Sequence, residues 1–349
     1  MKTIVFELNH PKHYLQYKFV AHYLKREFGY KVLFVLKKKD VLISLLENDK
    51  QDFFLIQTNS KSLVSKLFSF YSYLRKYNTF LRENEVDLIV SKASPYAAIL
   101  SKISKVKSII TPDSEVVALT NKFVAPLSNL IITPKVFARN FGEKQIKIAG
   151  LFEEQYLSPN YFQADKKVLL ENGFNPDEKY VLLRFVAWAA NHDIGKAGFS
   201  LSEKNELVEE LSKTGKVYIS SESELPENLK AYQLKINPSL MHQVLHFANL
   251  YVGDSQTMAT EAALLGTPSI RCNSFVGEKD MNNFIFLEKE KELLFNFMHA
   301  KEAISKAKEL FLNAENKENW LKKRTSYFAE HTDINIEISN IIHSFLKHA

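Results

Sequence analysis

The sequence NLYVGDSQTMATEAALLGTPSIR, residues Asn249–Arg271, carries the clearest fold signal in the chain. It begins with a short apolar run at Leu250–Val252, breaks at Gly253–Ser255 and continues with helical spacing to Leu265. Gly266 ends the helical pattern, and a proline follows two residues later. Such a succession of apolar runs, turn residues and helix stop signals predicts a strand, a turn, a helix and a second strand.

The turn before this helix has the chemistry of an anion site. The first N–H groups of a helix lack intrahelical partners, and the peptide dipoles add partial positive charge there. Ser255, Gln256 and Thr257 offer hydroxyl and amide donors at the same end. Glu261 lies four residues after Thr257, on the same helix face, where a carboxylate suits the hydroxyls of a ribose. The pattern fits a nucleotide diphosphate, and the alternative is an ordinary capped helix between buried strands.

The composition is that of an ordinary globular chain long enough for two domains. The 349 residues are 46% hydrophobic and 25% charged. The net charge is +6 at pH 7, but basic residues have acidic neighbours, as in KEAISKAKEL, so nucleic acid is not an expected partner. No signal peptide and no apolar run of about 18 residues is evident, which predicts a cytoplasmic protein without a membrane-spanning segment. Cys272 is expected to be a buried apolar residue and not a reactive thiol.

The N-terminal residues predict a βαβ unit with a candidate site in its first loop. Thr3–Leu8 and Lys31–Leu36 have the composition of buried strands, and Tyr14–Phe28 has the pattern of an amphipathic helix. The loop NHPKH lies at the carboxyl end of the first strand, where open α/β sheets bind ligands. His10 and His13 are therefore candidates for acid–base catalysis, with a structural role as the alternative. No metal is expected, because no third or fourth ligand is near.

Strands and helices continue to alternate up to about residue 148, which predicts a mostly parallel sheet with helices on both faces. The segment PDSE follows one of these strands. Its Asp113 and Glu115 are candidates for a general base, and Ser114 between them is a candidate for substrate binding. Asp and Ser before a helix are also common capping residues, so a structural role stays open.

A change of pattern at residues 151–178 indicates a linker, after which the strand Tyr180–Phe185 restarts the alternation. Arg184 near the end of this strand is a candidate for phosphate binding, or alternatively a surface arginine. The next segment, FVAWAANHDIGKAGF, is aperiodic and rich in polar residues, and such a long loop is costly unless it is used. A final helix at about Ile334–Lys347 has apolar residues at helical spacing and must bury one face.

The stretch around Ser255 resembles the nucleotide-sugar signature of GT-B glycosyltransferases and UDP-N-acetylglucosamine 2-epimerases. In those families a serine or glycine-rich turn binds the diphosphate and a glutamate binds the ribose. The resemblance implies diphosphate binding by Ser255, Gln256 and Thr257. It implies ribose binding by Glu261. This chain departs from the signature because Gln256 and Thr257 stand where those families usually carry glycine.

Four segments together resemble, in order and over nearly the full length, an archaeal and bacterial family known as domain of unknown function 354. They are NHPKHYLQYKFVAHYLKREFGYKV, SPYAAILSKISKVKSIITPDSE, YVLLRFVAWAANHDIG and GDSQTMATEAALLGTPSI. The resemblance implies an α/β fold of GT-B type, with two Rossmann-like domains that face a cleft. Residues 1–150 are expected to form an acceptor-side domain and residues 151–332 a nucleotide-sugar-binding domain. Residues 333–349 are expected to form a helix that packs back on the first domain.

Three functions are compatible with these features. The first is a glycosyltransferase that uses a nucleotide-activated sugar for a surface polysaccharide or glycoconjugate, with Asp113 or His13 as the base. The second is a nucleotide-sugar 2-epimerase, and the third is a nucleotide-sugar-binding protein without catalysis. The single carboxylate cluster in the first half favours transfer, because epimerisation needs groups around the sugar ring itself. Expected partners are a nucleotide-sugar donor and a saccharide or lipid-linked acceptor, with peripheral membrane contact left open and no cofactor.

Overall fold

The computed structural model divides the chain into two compact units. The first consists of Met1–Tyr156 and Thr332–Ala349, and the second consists of Leu157–His331. The linker composition predicts a boundary within about ten residues of Leu151, and the first unit extends to Tyr156. The structure describes residues 1–36, 40–56, 63–187, 198–277 and 280–348. Most of the aperiodic segment after the strand at Tyr180, namely residues 188–197, lies outside the described residues.

The strands and helices alternate along most of the chain. The strands are β1 (Thr3–Leu8), β2 (Lys31–Leu36), β3 (Phe53–Leu55), β4 (Leu88–Ser91), β5 (Lys107–Ile110), β6 (Leu130–Pro134), β7 (Gln145–Ile148), β8 (Tyr180–Phe185), β9 (Lys216–Ser221), β10 (Leu250–Gly253), β11 (Ser269–Cys272) and β12 (Leu294–Phe297). The helices up to the middle of the chain are α1 (Pro11–Phe28), α2 (Asp40–Asn48), α3 (Leu63–Glu83), α4 (Pro95–Ile103), α5 (Ala125–Leu127), α6 (Glu154–Leu157) and α7 (Lys166–Glu171). The remaining helices are α8 (Leu201–Ser212), α9 (Met241–Phe247), α10 (Gln256–Leu264), α11 (Asn282–Lys289), α12 (Ala300–Leu312), α13 (Asn316–Ala329) and α14 (Ile334–His348). Short 3₁₀ turns occur at Gly142–Lys144, Glu227–Tyr232 and Pro238–Leu240.

The first unit contains a parallel sheet in the order β3-β2-β1-β4-β5-β6-β7. Because alternate residues of a strand point to opposite faces, β1 contributes to two cores. Ile4 and Phe6 pack on the face that α1 and α14 cover, and Val5 packs on the face that α3 and α4 cover. A parallel sheet needs such cover on both faces, which explains why its strands are almost entirely apolar.

The helix α14 belongs to the core of the first unit. Its Ile338, Ile342 and Leu346 are buried in the same cluster as the inward face of α1. A hydrogen bond of 2.7 Å between the hydroxyl of Tyr30 and Nδ1 of His343 adds a polar contact to this packing. The apolar face of the last helix is therefore used within the first unit.

The second unit contains a parallel sheet in the order β12-β11-β10-β8-β9. Helix α10 follows β10, and all of its residues from Met258 to Leu264 are buried. Gly266, with φ of 76°, ends this helix in the left-handed conformation that glycine adopts without strain. Cys272 in β11 is buried, and burial raises the pKa of its thiol to about 12, which agrees with a structural role.

One helical segment is irregular. A π-helical turn at Thr120–Val124 continues into α5. Pro126 lies in α5 and has no N–H to donate to the carbonyl four residues earlier. The N–H of Ala125 instead reaches the carbonyl of Thr120, five residues back, which widens the turn.

In the described part of the chain, no helix has the length and apolar character needed to cross a membrane.

We predict that Ile342→Ala destabilises the first unit by about 2 to 5 kcal/mol, because it leaves a cavity in a core where Ile342 is fully buried. Ile336→Ala in the same helix removes the same side chain from a position that is 38% exposed, and it should cost less than about 1 kcal/mol. Urea unfolding monitored by fluorescence would compare the two variants. Equal destabilisation would contradict the packing of α14 described here.

Candidate functional site

Both sheets bring candidate residues to the carboxyl edge, at the position where the strand order reverses. This position lies between β1 and β4 in the first unit and between β8 and β10 in the second unit. Open parallel sheets bind ligands there, because the loops on either side diverge and leave a crevice. The predicted residues that follow strands near these positions are His10, His13, Asp113, Ser114, Glu115, Ser255, Gln256 and Thr257.

Two lysines and two carboxylates meet at this edge of the first sheet. Nζ of Lys12 lies 2.8 Å from Oε1 of Glu153 and 3.6 Å from Oδ2 of Asp113. Nζ of Lys92 lies 4.0 Å from the same oxygen of Asp113. We call Lys12, Lys92, Asp113 and Glu153 the ion cluster. Asp113 is its most exposed member, with 39% of its side chain accessible, so it is the member that a ligand can reach.

Lys92 lies at the buried side of the ion cluster. Its Nζ donates a hydrogen bond of 3.1 Å to the carbonyl of Thr111 and lies 3.8 Å from the centre of the Phe152 ring. Burial lowers the pKa of Lys92 to about 8, although the charge of Asp113 acts in the opposite direction. An amine with this pKa exchanges its proton near neutral pH.

In contrast to Lys92, Asp113 strongly favours its charged form. Burial favours the neutral carboxyl and would raise its pKa, but the charges of Lys92 and Lys12 prevail and hold the pKa of Asp113 well below its usual range. The carboxylate is therefore ionised at neutral pH and can accept hydrogen bonds from a hydroxyl group.

His13 is held in one tautomer. Its Nδ1 accepts a hydrogen bond of 3.2 Å from the backbone N–H of Asn9, so the neutral ring carries its proton on Nε2. Burial is the main cause that lowers the pKa of His13 to about 3, and the nearby Lys92 lowers it further. A ring of this kind donates a hydrogen bond at neutral pH and is a weak base.

The other candidates of the first unit have local contacts. Nδ1 of His10 accepts the backbone N–H of Lys12 at 3.2 Å and caps α1. Glu115 accepts the backbone N–H of Ala138 at 2.8 Å through its carboxylate. Ser114 lies between Asp113 and Glu115 and is partly exposed. The catalytic and binding roles of these three side chains stay predictions.

In the second unit the predicted anion site opens to the surface. Ser255 caps α10, and its Oγ accepts the backbone N–H of Met258 at 3.4 Å. Ser255, Gln256 and Thr257 are each partly exposed, whereas the helix behind them is buried. The first turn of α10 therefore presents its donors at the carboxyl edge of the sheet.

Glu261 lies one helical turn behind Thr257 and is only 6% exposed. Its Oε1 lies 3.3 Å from Nε2 of His242 in α9. This contact orients the carboxylate, and His242 is a neighbour that the sequence did not indicate.

Close packing fixes the turn before α10. A Cβ on Gly253 would lie 2.7 Å from the carbonyl oxygen of Arg184, so glycine alone fits without a shift of the backbone. The carboxylate of Asp254 accepts the backbone N–H of Val186 at 2.8 Å, and the side-chain amide of Asn273 donates to the Asp254 carbonyl at 3.0 Å. These contacts tie the ends of three neighbouring strands together.

Arg184 has protein partners at both terminal nitrogens. Nη1 donates to Oγ of Ser220 and Nη2 donates to Oε1 of Glu222, each at 2.7 Å. A phosphate contact of Arg184 stays a prediction, and it would require the guanidinium to exchange or share these partners.

The sequence analysis did not select Lys12, Lys92 or Glu153. Lys92 had a detectable signal, because it directly follows a fully apolar strand end at the carboxyl edge. Glu153 had none, since it lies in the segment interpreted as a linker. No group of three or more His, Cys, Asp and Glu side chains within the described ranges could hold a metal ion.

The fold is similar to that of several solved proteins. A protein named as a putative UDP-N-acetylglucosamine 2-epimerase from Listeria monocytogenes is 12% identical with a TM-score of 0.72, over 100% of this chain and 98% of that one. MnaA of S. aureus, solved together with UDP, is 11% identical with a TM-score of 0.68, over 99% and 97%. MurG of Acinetobacter baumannii is 13% identical with a TM-score of 0.60, over 99% and 100%. At these sequence identities the structural similarity shows the fold alone. The fold is of GT-B type, as the sequence predicted.

The family to which the chain belongs is identified by a match of its sequence. Residues 3–338 match the family described as protein of unknown function DUF354, and the chain belongs to this family. The resemblance stated from four sequence segments is thereby confirmed. No curated protein matches the chain.

We predict that His13 makes folding more sensitive to acid. Its folded pKa of about 3 lies below that of an unfolded histidine, so the unfolded state binds the extra proton between about pH 6.5 and pH 3. Stability falls as the pH falls through this window. The unfolding free energy of His13→Asn, in which the amide oxygen can accept the Asn9 N–H, should fall less than that of the wild type between pH 7 and pH 4, by up to about 3 kcal/mol. If the unfolding free energies of the wild type and the variant change with pH in the same way, His13 is not held neutral in the folded state.

Proposed function

We propose that the protein is a glycosyltransferase that uses a nucleotide-activated sugar in the synthesis of a surface polysaccharide or glycoconjugate. The observation that carries this proposal is the start of α10, where partly exposed donors lie at the strand-order reversal of the second sheet. Glu261, buried and oriented by His242, lies one turn further along the same helix. This pairing of an anion site with a carboxylate suits a diphosphate and a ribose.

The donor would bind through the second unit. Its diphosphate would accept hydrogen bonds from the N–H groups at the start of α10 and from Ser255, Gln256 and Thr257. The side chains of Gln256 and Thr257 occupy positions where related signatures carry glycine, so they would contact the phosphates directly. Glu261 would accept hydrogen bonds from the ribose hydroxyls. The UDP in the MnaA structure supports a nucleotide ligand for this fold.

The acceptor would be activated by groups of the first unit. Asp113 is the ligand-accessible carboxylate of the ion cluster, and it would accept the hydrogen bond of the attacking hydroxyl. Its low pKa makes it a weak base in the ground state, so the proton would move late, as the diphosphate leaves. His13 would donate from Nε2 and orient a substrate oxygen, and Lys92 would stabilise the charge of Asp113.

We predict that Glu261→Ala weakens the binding of a nucleoside diphosphate by about 1 to 3 kcal/mol, because the ribose hydroxyls lose a charged acceptor. Calorimetry with UDP and thymidine diphosphate would measure the change. Glu209→Ala serves as the control, because Glu209 is 76% exposed on α8 of the same unit. If both variants bind with wild-type affinity, Glu261 does not contact the nucleotide.

We predict that Asp113→Asn lowers acceptor-dependent release of nucleotide at least about a hundredfold while nucleotide affinity stays unchanged. Asp87→Asn is the matched control, because Asp87 pairs with Lys2 at 2.9 Å just before β4, at the opposite edge of the same sheet. The assay would use a panel of nucleotide sugars with cell-envelope acceptors. Equal rates in Asp113→Asn and in the control would exclude Asp113 as the base.

A nucleotide-sugar 2-epimerase is the second candidate, since the Listeria monocytogenes protein named for that activity has the higher TM-score, 0.72 against 0.60 for MurG. The same assay distinguishes the two, because epimerisation changes the sugar configuration without any acceptor. Nucleotide binding without turnover of any donor would favour a binding protein.

A further inference from the structure

An exposed apolar stripe directly follows the site loop of the first unit. Val116, Leu119 and Phe123 are 55%, 56% and 41% exposed. Leu119 and Phe123 are four residues apart in the helical segment 118–127, and Val116 lies just before this segment. Val117, 36% exposed, lies beside them. We call Val116, Val117, Leu119 and Phe123 the apolar stripe.

The apolar stripe is not the inward face of its own segment. Thr120, Val124 and Ala125 on the other side of the same turns are buried, and Val124 and Ala125 pack with β5 and β6. The segment therefore has its core contacts already, and four large apolar side chains lie on its outer side. Such a concentration of exposed apolar surface marks an interaction site more often than chance.

Exposed cations flank the apolar stripe. Lys122 lies within the segment and is exposed, and exposed Arg139 donates from Nε to the carbonyl of Glu115 at 3.3 Å. The carboxylate of Glu115 accepts the N–H of Ala138, and the exposed carboxylate of Asp113 faces two lysines of the ion cluster. The surface thus combines apolar side chains with exposed cationic ones.

We propose that the apolar stripe, with Lys122 and Arg139, docks on the surface of an anionic lipid bilayer. Apolar side chains on one side of a helical segment with flanking cations have the chemistry of an interfacial anchor, since the cations attract lipid phosphates while the apolar groups enter the headgroup region. A second copy of the chain fits less well. A symmetric contact would bring Lys122 and Arg139 of both copies together.

Docking goes beyond the proposed function and does not depend on it. A further consequence does rest on the proposed function. The apolar stripe begins three residues after Asp113, which is the carboxylate proposed to activate the acceptor. Contact with a bilayer at this place would bring the acceptor-activating carboxylate close to the membrane surface. The acceptor class that fits is a lipid-linked saccharide.

The test is sedimentation of the full chain with vesicles. We expect binding to vesicles of phosphatidylglycerol and phosphatidylcholine, weak binding to phosphatidylcholine alone, and release at about 0.5 M salt. The double variant Leu119→Ser with Phe123→Ser should lower the partition coefficient roughly tenfold or more. Lys122→Gln should lower it on the anionic vesicles only.

The matched control is Phe68→Ser with Tyr71→Ser, which removes comparable apolar surface, 72% and 67% exposed, from α3 of the same unit. Its partition coefficient should equal that of the wild type. Absence of wild-type binding, or equal losses in the two double variants, would overturn the proposal. The proposal would also be overturned if the wild type is a dimer that only Leu119→Ser with Phe123→Ser dissociates, while that variant still binds vesicles. Glu261→Ala should bind vesicles normally, so failure of the docking proposal and failure of the nucleotide proposal can be told apart.

Discussion

The structure depends on the fact that the central strands of a parallel sheet pair on both sides and are largely apolar on both faces. They must therefore be covered by helices on both sides. At the carboxyl edge the chain leaves each strand, so loops from neighbouring strands lie side by side. Lys12 in the first turn of α1 and Lys92 and Asp113 in the loops after β4 and β5 meet for this reason.

The two units use this edge in different ways. In the second unit the binding groups are mainly backbone N–H groups and short polar side chains at the start of α10, which are fixed by close packing around Gly253. In the first unit the groups are charged, and the charges of Lys92 and Lys12 hold the pKa of Asp113 below its usual range. Removing one member of such a set leaves a charge without compensation, which costs more than the lost contact alone when that charge is buried. The members of the ion cluster thus depend on one another, whereas the donors of α10 act independently.

Much of the fold followed from the sequence because local signals and the final structure agree. The strands Thr3–Leu8 and Lys31–Leu36 have the bounds that their apolar runs predicted, and Ser255 caps α10 as its position before the helical pattern indicated. Of the ion cluster, only Asp113 was predicted from the sequence. It stood out because it follows a strand, but lysines there resemble ordinary surface residues, and burial is a property of the packed chain. The π-helical turn before Pro126 and the partners of Arg184 likewise depend on contacts that no local pattern contains.

The position of α14 in the chain has a consequence for the order in which the two units can fold during synthesis. The second unit consists of one continuous segment, Leu157–His331, so all of it is translated before α14. The first unit begins earlier but lacks the helix that covers part of its core until α14 has been synthesised. Residues 1–156 must therefore wait for the whole second unit to be translated before the core of the first unit can close. In that interval they expose an apolar surface on their sheet.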